Sequence, residues 1–116
     1  MSYLANFTPE TAKNCLLDIL KTATQPENAK KLSEAKALAA RDMVKMMQFV
    51  FPLVMELEMG VIKNYGFPPN REGLVQFTQI IREVEKEDSE INHLRTQIRS
   101  IYMPPINLSA SNDILI

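Results

Sequence analysis

One histidine, one cysteine and a scatter of carboxylates are the residues of this chain with a chemical repertoire. His93 could titrate near neutral pH or join a metal. A zinc site takes three or four protein ligands, however, and no second His or Cys stands at ligand spacing. His93 also falls off the Ile91, Leu94, Ile98 stripe of its helix, so an exposed residue is expected. Cys15 lies on an apolar helical face between Ala12 and Ile19. A reactive thiol wants a basic neighbour or a helix N-terminus, and its i−4 neighbour is Thr11. Cys15 therefore reads as a small buried hydrophobe.

The acids do not pair for catalysis. Glu56 and Glu58 are two apart and face different directions on a helix. Glu83 with Glu87, and Glu34 with Asp42, sit among lysines and arginines. General acid–base work needs a carboxylate of raised pKa in a cleft, and a solvated, ion-paired face is the expectation for all of these. Gly60, Gly66 and Gly73 are isolated and make no phosphate-cradling loop. No serine-nucleophile motif is present. The sequence thus points to no catalytic residue, no cofactor and no metal, and the expectation is that the protein is not an enzyme.

What remains is apolar surface, and most of it lies in Asp42-Met43-Val44-Lys45-Met46-Met47-Gln48-Phe49-Val50-Phe51-Pro52-Leu53-Val54-Met55. Methionine-rich surfaces adapt to varied amphipathic partners or apolar ligands. A helix that is apolar all round is normally internal, so the run is expected to be the core, Phe49 included. Its apolar positions nevertheless exceed what one small bundle readily covers. Val44, Met47 and Phe51 point away from the Met43, Met46, Val50 stripe.

The elements that must carry these residues are helical. The chain of 116 residues is 46% hydrophobic, without Trp and with only three Gly. It is long enough for one domain and rich in helix formers. Thr8-Pro9-Glu10 reads as an N-cap, a first-turn proline and an acid at the positive helix end, predicting a helix over 9–23. Thr24-Gln25-Pro26-Glu27 reads as a capping box. The pattern Ala29, Leu32, Ala35, Ala39, Met43, Met46, Val50 then runs without punctuation, as one long helix or as two with a break near Ala39-Ala40-Arg41.

Pro52 predicts a kink, since the apolar pattern resumes at once through Leu53, Val54, Leu57, Val61, Ile62 and Tyr65. Tyr65-Gly66-Phe67-Pro68-Pro69 is a stop, with Gly66 in the left-handed conformation. Asn70 caps a helix striped by Leu74, Phe77, Ile80, Ile81 and Val84. Asp88 or Ser89 starts the last, striped by Ile91, Leu94, Ile98, Ile101 and Tyr102. The expected fold is all-α: a single-domain irregular bundle of four or five helices around a central proline-kinked helix. It occupies residues 1–105, followed by an apolar C-terminal tail over 106–116.

Several of these segments resemble the eukaryotic protein C-ten family. The resemblance is carried by Pro26-Glu27-Asn28-Ala29, Glu34-Ala35, Asp42-Met43, Lys45-Met46, Gln48-Phe49-Val50 and Pro52. It continues through Val61-Ile62-Lys63, Tyr65-Gly66-Phe67, Glu72-Gly73, Phe77, Glu90-Ile91, Leu94 and Pro104-Pro105. It implies a small, intracellular, helical protein with no assigned enzymatic activity, whose vertebrate relatives are associated with brain development. It supplies no ligand and no mechanism, and the tail departs from the vertebrate pattern.

Thirteen basic against fourteen acidic residues give a net charge of −1. Nucleic acid is not an expected partner, since binding it takes a basic face. Such weak net repulsion leaves self-association open. One cysteine, no signal-peptide pattern and no membrane span suggest a reducing, cytoplasmic location. The expected function is a non-enzymatic protein-interaction module, a homo-oligomer or a subunit or adaptor of a larger assembly. Its interface residues would be Val44, Met47, Phe51, Met55, Ile114, Leu115 and Ile116. The alternative is a carrier or sensor of a small apolar ligand, held in a cavity around Met46, Phe49 and Phe77.

Overall fold

A computed structural model describes residues 7–103, which form five helices and no strand. Helix α1 spans Pro9–Thr24. Its start follows the sequence signal: Thr8 is extended and its Oγ1 accepts the Thr11 amide at 3.1 Å. Helix α2 spans Pro26–Ala39. Here the predicted capping box does not form. Pro26 takes the first helical position, which makes Gln25 the capping residue, and Gln25 offers no side-chain hydrogen bond. Thr24 stays within α1, and its hydroxyl donates back to the Leu20 carbonyl at 2.8 Å. The joint is tied instead by Asn28, whose Nδ2 donates to the Thr22 carbonyl at 2.8 Å.

The break after Ala39 is real and costly. Ala40 and Arg41 both take positive φ, 50° and 66°, a region that costs a non-glycine residue about 1–2 kcal/mol. The turn closes through the Ala40 amide on the Lys36 carbonyl at 3.0 Å and the Asp42 amide on the Ala39 carbonyl at 2.8 Å. Asp42 Oδ1 then caps the next helix, accepting the Val44 and Lys45 amides at 2.9 and 3.3 Å.

That helix, α3, covers 43–65 in several geometries: α over Met43–Lys45, a π turn over Met46–Val50, α over Phe51–Ile62, and a 3-10 turn over Lys63–Tyr65. The Phe51 amide closes the π turn on the Met46 carbonyl, five residues back. The expected proline kink is therefore a π turn placed just ahead of Pro52. Gly66 ends α3 at φ 95°, and the Phe67 amide reaches back to the Ile62 carbonyl at 3.3 Å.

Asn70 Oδ1 accepts the Gly73 amide at 2.9 Å and opens α4, Arg71–Glu85. Gly73 is not incidental, because a Cβ there would stand 1.9 Å from the Pro68 carbonyl oxygen. Helix α5 spans Ser89–Tyr102, capped by Asp88, and Met103 is extended as the residue before a proline should be.

Helix α1 packs along α5 and along α3, α4 packs on α3 and α5, and α2 lies against the π turn. Edge-to-face rings fasten the core: Phe7–Phe67 at 5.3 Å, Phe67–Phe77 at 5.5 Å, and Phe51–Tyr102 at 5.9 Å between centroids. A half-buried ion pair, Arg95–Glu85 at 2.6 Å, joins α5 to the end of α4. No helix among the described residues is long and apolar enough to cross a membrane.

The strained corner and the close approach each give a test. Ala40→Gly should stabilise by roughly 0.5–1 kcal/mol, the relief of left-handed strain less the flexibility of glycine. Asp42→Ala, two residues on, should cost about 1 kcal/mol by removing the cap. Urea midpoints moving in opposite directions would confirm both. Gly73→Ala should cost about 1–3 kcal/mol or more from overpacking against Pro68, and an unchanged midpoint would refute the close approach.

Candidate interaction surface

Two kinds of group stand out once the helices are in place: apolar side chains left outside, and polar ones taken inside. Val44 is 63% exposed, Met47 56%, Phe49 43% and Leu38 64%. All four belong to the corner between the end of α2 and the first turns of α3. Val44 and Met47 stand where the sequence placed them. Phe49 does not, because it is exposed instead of core. Leu38 was missed, since in the sequence it is an ordinary apolar residue near a run of alanines. Phe51 is corrected in the other direction. It is buried at 4% exposure, with its ring against Tyr102. Met55 is partly buried and packs on the core. Ile114, Leu115 and Ile116 lie outside the described residues.

The π turn accounts for the Phe51 correction. In an unbroken α-helix Met47 and Phe51, four apart, share a face. Closing one turn over five residues rotates everything after it, so Met47 faces out while Phe51 faces in. Within the turn Met46 and Val50 are buried, and beyond it Val54, Glu58 and Val61 continue the inner face.

Glu58 is the main surprise among the polar residues. It is fully buried, not part of a solvated face. It borders a void of about 10 Å³ with Ile19, Val54, Ile98 and Tyr102. That is no larger than the roughly 10–15 Å³ needed to admit one water. Burial pushes the Cys15 thiol well above its ordinary pKa, with the charges of Asp18 and Glu58 acting in the same sense. Burial likewise raises the Tyr102 phenol, with Glu58 adding to it. A thiol so placed is protonated at neutral pH and sealed from reagents.

Closer to the surface, the Tyr65 hydroxyl donates to Asp18 Oδ2, tying α3 to α1. Lys13 bridges Asp88 and Glu90 at 3.1 and 3.0 Å, and its ammonium holds the Asp88 carboxyl below the usual carboxylate range. His93 is exposed. No group of three or more His, Cys, Asp or Glu among the described residues is placed to hold a metal ion.

The three residues proposed to line a ligand cavity go different ways. Phe77 is buried with Phe7 and Phe67, Phe49 is exposed, and Met46 borders an open groove. That groove, about 460 Å³, runs between α2 and the end of α5, with Ser33, Lys36, Ala37 and Arg41 on one side and Ser100 and Met103 on the other. A second hollow of about 400 Å³ continues it past Ser33 and Lys36 towards Ala29 and Ile101. Lys36 crosses the groove, its Nζ donating to the Ile101 carbonyl at 2.8 Å.

Fold and surface together define a small all-α domain built on a π-turned central helix, with apolar side chains exposed at one corner. The chain belongs to the Protein C10 family, whose model matches residues 8–116. It is 36% identical to Protein C10 of Homo sapiens over 104 residues, 90% of this chain and 82% of that protein. Protein C10 of Danio rerio is 34% identical over 100 residues, covering 86% of this chain and 82% of its own length. Protein C10 of Xenopus laevis is 28% identical over 99 residues, 85% and 77% of the two chains. No solved structure matches the chain.

The placement of the two phenylalanines is directly testable. Phe49→Ala should cost less than about 1 kcal/mol, as exposed sites do. Phe77→Ala should cost about 3–5 kcal/mol, the usual range for a buried ring. Chemical denaturation of both variants would expose a misplacement if the two losses came out alike.

Proposed function

We propose that this protein is a non-enzymatic interaction module. It acts as a subunit or adaptor, with copies of itself or within a larger assembly, and receives a protein partner on the corner of α2 and α3. The observation that carries this reading is the exposure of four large apolar side chains, Leu38, Val44, Met47 and Phe49, within residues 38–49. Singly exposed apolar residues are ordinary, whereas a concentration of them marks interaction sites. Methionine and phenylalanine are also enriched in interfaces.

Two further features converge on the same corner. Ala40 and Arg41 hold left-handed strain, and the π turn begins at Met46. Strained backbone and π turns both concentrate at functional sites. Against an enzyme stand the buried, protonated Cys15 and a Glu58 enclosed without room for a substrate. The near-neutral charge and interleaved basic residues support a protein partner over nucleic acid. The single, thiol-form cysteine supports a reducing, cytoplasmic setting.

Val44→Glu with Met47→Lys tests the reading, since both side chains are exposed and the fold should survive. Native mass spectrometry and quantitative affinity capture from the source cells are expected to show the wild type self-associated or bound to specific proteins. The double variant should lose at least tenfold of that association. Unchanged association of a folded double variant would overturn the proposed surface.

A further inference from the structure

Among the described residues five large apolar side chains are exposed, and four of them make the corner of α2 and α3. The fifth, Leu17 at 48% exposure, lies on α1. It stands one turn on from Lys13 and shares its side of the helix. Lys13 ties that side to Asp88 and Glu90 at the start of α5. The corner sits at the other end of α5. The residues that bracket it both reach the last turn of that helix: Lys36 donates to the Ile101 carbonyl, and the Phe51 ring packs on Tyr102. The 14 residues of α5 rise about 21 Å. Leu17 and the corner therefore belong to separate surfaces.

The two surfaces differ in charge. Residues 30–49 hold five basic residues against two acidic ones, and one of the two, Asp42, turns its carboxylate to the Val44 and Lys45 amides. Residues 83–90, the turn from α4 into α5, hold five acidic residues against one basic. Lys13 and Arg95 pair into this turn from α1 and α5 and leave it acidic. Glu83, Glu87 and Glu90 are exposed there. Charge is thus separated along a chain that is nearly neutral as a whole, so copies repel little in bulk and attract end to end.

We propose that the corner of one copy docks on the α4–α5 turn of a second copy, with Val44 and Met47 against Leu17 and with Arg41 and Lys45 facing Glu87 and Glu90. This inference rests on the corner being the interaction surface argued above, and it names the partner as the chain itself. Opposite charges fix the register of such a contact, while the apolar side chains leave water. Because the two surfaces differ, the contact is heterologous. Each pair keeps one unused corner and one unused turn, so assembly continues with concentration unless it closes into a ring.

Sedimentation of the purified full-length chain provides the test. Val44→Glu with Met47→Lys blocks the corner, and Leu17→Lys with Glu87→Lys blocks the turn, all four being exposed side chains. Wild type should associate with rising concentration, and each variant alone should stay monomeric, at least tenfold weaker in association. An equimolar mixture of the two variants should restore a one-to-one dimer and nothing larger, since only one intact corner meets one intact turn. That restoration also shows both variants to be folded. Raising salt from about 0.05 to about 0.5 M should weaken the wild-type contact at least tenfold.

A turn-blocked variant that dimerises as tightly as wild type would replace this contact with a symmetric one, corner on corner, and leave the corner reading standing. Wild type that stays monomeric at every concentration would sink self-docking alone, because capture of a different protein by the corner is measured separately. A folded corner-blocked variant that associates like wild type would overturn both readings. A mixture that fails to restore the dimer, or a contact indifferent to salt, would overturn head-to-tail docking.

Discussion

Pro52 has no amide to give, and its ring crowds the carbonyl of Gln48, yet α3 does not end there. The chain absorbs the proline by closing the preceding turn over five residues, Phe51 to Met46. The helix continues with its apolar face turned. Most of the molecule follows from that one accommodation. It lets Val54, Val61 and Ile62 enter the same interior as Met46 and Val50, and it brings Phe51 against Tyr102. It also leaves Met47 and Phe49 outside. The residues that bury α3 and those that mark its outer surface are thus selected by a single backbone event.

The same region carries the cost. Two consecutive left-handed residues, Ala40 and Arg41, make the turn from α2 into α3, and neither is a glycine. Such strain persists only where surrounding structure over-determines it. Here the anchors are Ala39 buried on one side and the Asp42 cap on the other. The strain also directs Arg41 onto the groove wall. Corner and groove are consequently two sides of one strained turn, and a change in that turn would be felt on both.

Legibility in the sequence divides along the range of the interactions. Thr8, Asp88, Asn70 and Gly66 could be read because a cap or a left-handed stop is decided within four residues. Thr24 was misread because one position of proline moves the cap to Gln25. The all-α class, the break before Asp42 and the stripes of α1, α4 and α5 were legible as periodicity. Phe49 and Phe51 were not, since a single five-residue turn alters the register without leaving a pattern of its own. Glu58 and Gly73 could not be read locally either: one is buried by α1 and α5, the other is pressed against Pro68. At the surface, Val44 and Met47 were legible as excess apolarity, whereas Leu38 became significant only when α2 was seen to expose most of its length.

Helix α2 connects these surfaces energetically. Its buried face consists of one leucine, Leu32, and two alanines, Ala35 and Ala39, and the alanines remove little apolar area from water. Elements with few large buried side chains belong to the less stable parts of a domain, and α2 has Leu32 alone of that kind. Leu38 extends from its outer side at the corner, and Ser33, Lys36 and Ala37 form one wall of the groove. Anything that binds folded α2 on either side stabilises it by mass action. Two occupants that each require ordered α2 are therefore coupled, and by linkage the coupling is reciprocal. Helix α2 thus carries the exposed Leu38 of the corner and one wall of the groove on a single element whose own buried face is narrow.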